Sequence, residues 1–432
     1  MRDFAQSDDA RVQAQLDRLA ALSLPEGRLG LDTMRALLAR LGDPHLRLPP
    51  VFHVAGTNGK GSTCAFLRAM LEADGKTVHV ATSPHLVRYN ERIRIAGELV
   101  SDAQLAALLR EVLDASENGG EHLAPSFFEV TIAASFLAFA RTPADACVIE
   151  VGLGGRFDAT NVIEHPAACG IAALGIDHER FLLAPEDGVP GDPMARIAFE
   201  KAGIVKPGCS LVTLDYAEGP TLEIERAAMA AGAPLAMRGR EWTANLGAGI
   251  EYEDRHGRLA LPLPAMPGAH QAENAALAVA MLRHQDFVAA SEEALGRGVV
   301  EARWPARLHR LADGPLTRGR EVWLDGGHNR SAGDMLAGHF AGSRVHLVTG
   351  MLANKDPRGI VEPLRESIAS ISAVPVPGHE WHKAQAFGED AVPQTGIAEA
   401  LAALPDDDAP ILIAGSLYLA GEVLRLNGEM PD

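Results

Sequence analysis

The stretch Val51-Phe52-His53-Val54-Ala55-Gly56-Thr57-Asn58-Gly59-Lys60-Gly61-Ser62 decides the fold. A short, partly β-branched run reads as a strand, the glycines at 56, 59 and 61 as a turn, and Thr63 to Asp74 as a helix. That order suits a phosphate-binding loop. Glycines let backbone N–H groups approach phosphate oxygens, a lysine meets the outer phosphates, and a helix N-terminus favours an anion. The segment is not a literal GxxxxGK[ST] match. Val54 holds the first glycine position, and Gly61 separates Lys60 from Ser62. A glycine-rich turn with a solvated lysine is the competing reading at this point.

Outward from that loop, short β-branched runs alternate with Ala/Leu-rich helical patterns, the mark of α/β units around a largely parallel sheet. Strands are expected at Thr77–Ala81, Ala146–Val151, Gly170–Ile176 and Ser210–Leu214. The interval Glu241–Pro267 breaks the pattern with Trp, Gly and three prolines, and a helix over Ala269–Arg283 follows. A second α/β series has expected strands at Glu321–Asp325, Arg344–Gly350, Ile371–Val376 and Ile411–Gly415. Placing a boundary in Gly296-Arg297-Gly298 divides the chain into domains 1–298 and 299–432. Leu182 to Met194, rich in Pro, Gly and Asp, reads as a surface loop.

The 432 residues carry 39 basic against 57 acidic side chains, a formal charge of −18. That balance opposes nonspecific binding to nucleic acid or an anionic membrane, because the phosphate-neutralising contribution is missing. Local anion sites remain compatible with it. Met1-Arg2-Asp3-Phe4 lacks an apolar segment of signal-peptide length, and Val130–Ala140 is too short to span a bilayer. Cys64, Cys147, Cys169 and Cys209 show no CxxC spacing, which argues against a zinc site or a disulfide scaffold. A cytoplasmic protein with buried, reduced thiols is expected.

Three further positions invite chemistry. Glu150 ends the run Ala146–Ile149, where a carboxylate at the carboxyl end of a parallel strand faces the ligand crevice and can hold magnesium. A pair with Arg156 is the alternative. Asp177-His178 closes the next run, so neighbouring strands would bring an oxygen and a nitrogen donor to one rim, although magnesium prefers oxygen. Lys201 lies on a helix ended by Gly203, and its spacing alone reads as an exposed helix lysine.

Together these segments resemble the folylpolyglutamate synthase/dihydrofolate synthase branch of the Mur ligase family. The matching stretches include GTNGKGS (56–62), SPHLVRYNERI (83–93), FFE (127–129), EVGLGGRFDATN (150–161), DH (177–178) and EKAGIVKPG (200–208). PGAHQAENAALA (267–278), WPARL (304–308), DGGHN (325–329), GMLANKD (350–356) and GSLYLAGE (415–422) continue the series in family order. The resemblance implies a P-loop-containing, Mur-ligase-like N-terminal ATPase domain and a smaller Rossmann-like α/β C-terminal domain.

It also implies an ATP-dependent amide ligase acting through an acyl phosphate, with ATP and Mg²⁺ as cofactors. Dihydropteroate or a reduced folate and L-glutamate are the implied substrates, and a monomer without nucleic-acid or membrane partners is expected. By position Asn58, Gly59, Lys60, Gly61 and Ser62 match the nucleotide loop. Ser83, Glu150 and His178 match magnesium ligands, and Lys201 matches a lysine carried as a carbamate. Lys60, Glu150, His178 and Lys201 would form the catalytic group. Asn274, Arg307, Asp325 and His328 match the nucleotide side. Phe127, Phe128, Glu129, Phe157, Asp158 and Ala159 match the pterin side, which Gly27, Arg28 and Leu29 would complete. Aromatic residues suit a flat heterocycle, and a buried aromatic pair in a core helix would look the same.

Some positions depart from the family. His178 to Glu200 is about eight residues longer than the family pattern, as a tolerated loop insertion would be. Ala306 replaces the usual glycine, Gly327 an alanine and Arg330 a proline. Two rival functions are a nucleotide-binding switch without ligase chemistry and a peptidoglycan-precursor ligase of the same class.

Overall fold

The computed structural model describes residues 6–22, 30–118 and 123–431. Within them the chain divides into two units. One comprises residues up to Pro84, Arg88–Ala265 and Gln271–Arg303; the other comprises His85–Val87, Met266–His270 and the chain from Trp304.

In the first unit α1 (Ala10–Ala20) and α2 (Asp32–Arg40) precede β1 (Val51–Ala55), and α3 (Lys60–Ala73) leads to β2 (Val78–Ala81). After β3 (Ile93–Ile95) and β4 (Glu98–Leu99) come α4 (Asp102–Asn118), α5 (Phe127–Arg141), β5 (Ala146–Glu150) and β6 (Ala168–Ile171). Then follow α6 (Glu179–Leu182), α7 (Pro193–Ala202), β7 (Ser210–Thr213), α8 (Glu218–Ala231) and β8 (Leu235–Met237). The eight strands lie in the order β4-β3-β2-β5-β1-β6-β7-β8. All pairs from β2 to β8 across that order are parallel, and only β3 and β4 join antiparallel.

Every residue of β1 is buried, so the strand needs cover on both faces, as parallel sheets do. Val51, Cys147 and Ile149 share a core with α1, α2, α4 and α5, while Ala55, Cys169 and Ile171 pack with α7 and α8. Because side chains alternate along a strand, Val54 and Glu150 face the opposite side.

Three sequence expectations change here. β6 stops at Ile171, short of the expected Ile176, because Ala173 O is taken by the N–H groups of Thr57 and Asn58 at 2.8 and 3.2 Å. β5 and β6 are not neighbours either, since β1 lies between them. Glu150 and His178 therefore flank the phosphate loop instead of ending adjacent strands. The expected loop is also shorter: Leu182 closes α6, and Pro193 and Met194 open α7 behind the Asp192 cap.

The interval 241–267, read as a break, holds an antiparallel sheet of β9 (Trp242–Leu246), β10 (Ile250–Asp254) and β11 (Gly257–Leu261). Its alternate residues Trp242, Ala244, Ile250, Tyr252, Leu259 and Leu261 are buried. That period-2 pattern was present in the sequence under the glycines and prolines. α9 (Ala269–Arg283) and α10 (Glu292–Glu301) follow. Gly296–Gly298 lies inside α10, where a Cβ on Gly298 would meet the Met70 backbone at 2.5 Å. Gly298 thus serves close packing, and the second unit takes up at Trp304.

The second unit builds β12 (His309–Arg310), β13 (Val322–Leu324), β14 (Val345–Thr349), β15 (Ile368–Ala373), β16 (Val392–Pro393) and β17 (Ile411–Ala414) into the order β12-β13-β17-β14-β15-β16. α11 (Arg330–His339), α12 (Arg358–Leu364), α13 (Ile397–Ala402) and α14 (Leu417–Asn427) connect or flank them. Only β12 pairs antiparallel. Among the described residues no helix is long and apolar enough to cross a membrane, and the four cysteines are buried free thiols.

Candidate active site

Gly56 and Gly59 turn the chain from β1 into α3 with φ of 152° and 83°. A Cβ on Gly56 would stand 2.9 Å from Ala172 Cβ, and one on Gly59 would run into the Asn274 side chain. The loop is thus braced by 172–175 on one side and by α9 on the other. Thr57 Oγ1 adds a bond to Gly175 O at 2.8 Å. Lys60, Gly61 and Ser62 form the first turn of α3, where backbone N–H groups have no helical acceptor and favour an anion. Lys60 is half-buried with Nζ 3.4 Å from Thr57 O.

Lys201 overturns the reading of its spacing. It is 4% exposed, and its Nζ donates to Gly56 O at 2.8 Å. Burial, reinforced by the nearby Lys60 charge, pulls its ammonium down to about 7 against the pull of Asp177, Asp158 and Glu200. A half-neutral buried amine at the base of an anion loop is available for chemistry.

Glu150 is 5% exposed, and its Oε2 accepts the Ser83 N–H at 3.1 Å. Arg156 pairs with Glu186 and Glu200 instead of Glu150. His178 stands at φ 54° before α6, with its N–H bonded to Asp177 Oδ1 at 2.7 Å. One cavity is lined by Gly56, Thr57, Lys60, Val151, Gly152, Leu153, Gly154, Asp177, His178, Leu182 and Lys201. It unites Lys60, His178 and Lys201, while Ser83 and Glu150 bond to each other at the ends of β2 and β5.

A second cavity of about 610 Å³ begins at Ala173 and Leu174 on the same rim and continues to Asp215, Tyr216, Arg238, Asn245 and Glu273. None of these polar residues drew attention in the sequence, because they come from four separate segments.

On the expected pterin side, Phe127 meets Tyr89 edge-on at 5.7 Å under the Arg92 guanidinium. Phe128 sits against Gly152, where a Cβ would enter its ring. The Glu129 carboxylate accepts the Ser126 N–H at 2.7 Å while its own N–H bonds Ser126 Oγ, a reciprocal cap of α5. Asp158 is likewise engaged within its loop, accepting from the N–H groups of Leu153 and Thr160 and from the Thr160 hydroxyl. Burial raises its carboxyl against those bonds. Phe157 is half-buried and Ala159 belongs to the core. Gly27, Arg28 and Leu29 lie outside the described residues.

Asn274 is 3% exposed beside Gly59, with Nδ2 3.3 Å from Gln271 Oε1. In the second unit Arg307, Asp325 and His328 come together. Asp325 accepts from the N–H groups of Leu308 and Gly327 at 2.8 and 2.7 Å, and burial raises its carboxyl against the Arg307 charge. Ala306 and Leu308, either side of Arg307, hold φ of 56° and 46°, a left-handed backbone that costs non-glycine residues roughly 1–2 kcal/mol each. His328 Nδ1 bonds Gly326 O at 3.0 Å.

No protein-family model matches the chain. Among curated proteins, the dihydrofolate synthase/folylpolyglutamate synthase of Bacillus subtilis (strain 168) is 36% identical over 360 residues, which cover 79% of this chain and 79% of that protein. The solved structure of E. coli FolC in complex with DHPP and ADP superposes with a TM-score of 0.84 at 30% identity, covering 98% of both chains. A bifunctional folylpolyglutamate synthase/dihydrofolate synthase from Yersinia pestis, complexed with AMPPNP and Mn ion, gives 0.83 at 29% identity over 97% of this chain and 99% of that one. Likeness at this level covers nearly the whole chain and so runs through both units, and the chain belongs to the folylpolyglutamate synthase/dihydrofolate synthase family.

Proposed function

We propose that the chain is an ATP- and Mg²⁺-dependent ligase that joins L-glutamate to the carboxylate of dihydropteroate, of a reduced folate, or of both. The observation that carries this reading is the convergence of Lys60, His178 and buried Lys201 on one cavity at the phosphate loop. The names of the relatives supply the substrate class, and their nucleotide complexes support an adenine nucleotide at that loop.

A carboxylate is a poor electrophile. Phosphorylation by ATP makes its oxygen a leaving group, and the glutamate amine then displaces phosphate to form the amide. Lys60 neutralises charge on the transferred phosphoryl group, and the first turn of α3 orients the phosphates, so positioning and electrostatics carry the step.

The donor set suits magnesium held jointly with a nucleotide. Among the described residues no three His, Cys, Asp or Glu cluster as a metal cage, so Glu150, assisted by Ser83 and His178, would share the ion with phosphates and water. Bound there, magnesium would draw charge from the phosphoryl oxygens. Lys201 fits this role only as an anion. Its neutral amine adds to CO₂ and releases one proton, giving a carbamate, and the depressed ammonium value makes that amine available near pH 7. The first unit would hold the nucleotide phosphates and the pterin side, and Arg307, Asp325 and His328 keep the nucleotide role that the family resemblance implies for them. A monomer working in the cytoplasm completes the proposal.

The test is ADP release with glutamate plus dihydropteroate, compared with glutamate plus a tetrahydrofolate. Acceptor-dependent release supports ligation, and its absence with both acceptors overturns it.

A further inference from the structure

The loop between α6 and α7 places one side chain into an ionic network of the first unit. Glu186 accepts from Arg156 Nη1 and Nη2 at 3.2 and 2.7 Å and from Arg196 Nη2 at 2.8 Å. Glu200, 4% exposed, accepts from Arg156 Nε and Nη2 at 3.2 and 2.8 Å and stands 3.0 Å from Arg196. Two guanidiniums and two carboxylates balance without net charge.

Arg156 is more than an ionic tie. Its guanidinium lies 4.3 Å from the centre of the Phe157 ring and 4.9 Å from that of Phe199. Its N–H donates to Glu200 O at 2.8 Å, and its carbonyl accepts from Asn161 Nδ2 at 2.9 Å. A Cβ on Gly155 would stand 2.7 Å from Glu200 O and 2.9 Å from Lys201 O. The segment 152–158 is thereby docked on the last turn of α7. Its first residue abuts Phe128, and its Phe157 rests on Arg156.

We infer that Glu186 is a positioning residue for the acceptor side of the site, holding Arg156 against Phe157 and through it the shape of segment 152–158. The inference rests on reading Phe128 and Phe157 as the acceptor side. Without the Glu186 carboxylate, Glu200 alone faces two guanidiniums, and their mutual repulsion draws Arg156 away from the ring. The acceptor, a flat heterocycle bearing a carboxylate, then meets a displaced wall, while the phosphate loop keeps its bracing at 172–175 and Asn274.

The experiment measures kcat and KM for each substrate in the full-length wild type, Glu186→Gln, Glu186→Ala and Glu186→Asp, with thermal melting to establish folding. Glu186→Gln is expected to raise the acceptor KM about tenfold while the ATP KM stays within about twofold, the size of effect that a small misplacement produces. Glu186→Ala is a second variant with the same expectation, and Glu186→Asp, which keeps the charge, should restore the acceptor KM. An unchanged acceptor KM, or a loss shared equally by all three substrates, overturns the inference while the ligase reading stands. If the wild type shows no turnover, the ligase reading falls. Fluorescence titration of dihydropteroate then decides the inference: weaker binding in Glu186→Gln supports it, and equal or absent binding overturns it.

Discussion

Lys201 shows how far a residue's chemistry depends on its surroundings. Its folded-state value of about 7 lies below the ordinary 10.5, so between those pH values the unfolded chain binds more protons and stability rises with pH. Lys201→Met removes that penalty and the reactive amine together. In buffer purged of CO₂ the variant should be more stable than the wild type at pH 7 by up to about 4 kcal/mol, should lose the advantage toward pH 10.5, and should not ligate. Urea denaturation at several pH values measures it, and a constant difference would contradict the assignment. Gly152 offers a steric counterpart. A Cβ there enters the Phe128 ring, so Gly152→Ala should cost about 1–3 kcal/mol and raise the acceptor KM. Melting together with steady-state kinetics reads both effects.

At the scale of elements, the Arg283–Asp254 ion pair ties the sheet β9-β10-β11 to α9. Arg283 Nε and Nη2 donate to the Asp254 carboxylate at 2.8 and 2.7 Å, and that carboxylate has no solvent exposure. Burial pushes the Asp254 carboxyl up, but Arg283 and the His256 N–H outweigh it and hold the group below its usual value. The pair's stabilisation is therefore complete above the unfolded carboxylate's value near 3.8 and is lost as pH falls through the lower folded value. Arg283→Met leaves a buried charge without its partner and should cost about 3–5 kcal/mol, measured as a shift in denaturant midpoint. A shift below about 1 kcal/mol, the size of an exposed pair, would deny that role. This sheet also marks where sequence patterning was hardest to follow. Its buried alternation is only five residues long per strand and is bounded by glycines and prolines that read as punctuation.

For the whole molecule, a charge of −18 coexists with a local anion site, because Lys60 and the first turn of α3 act over a few ångströms while net charge acts over a Debye length. The protein should pass a heparin column and leave duplex DNA unshifted at about 0.15 M salt. Retention to higher salt would expose a basic surface that the composition conceals. Much of the architecture was legible from the chain alone. The central strand and its loop, the helix after them, α9 and the strands β13, β14 and β17 fall where periodicity and turn residues place them, since those signals lie among near neighbours in sequence, whereas β15 runs from Ile368 to Ala373, three residues earlier than the expected Ile371–Val376. What tertiary structure alone decided is which side chains meet. Lys201 reaches Gly56 across 145 positions, β1 separates β5 from β6, and the carboxylates of Glu129, Asp158 and Asp325 are occupied by nearby N–H groups. Sequence spacing made Lys201 an exposed lysine because burial and the protonation it controls are set by atoms remote along the chain, and only the packed α/β unit brings those atoms to the amine.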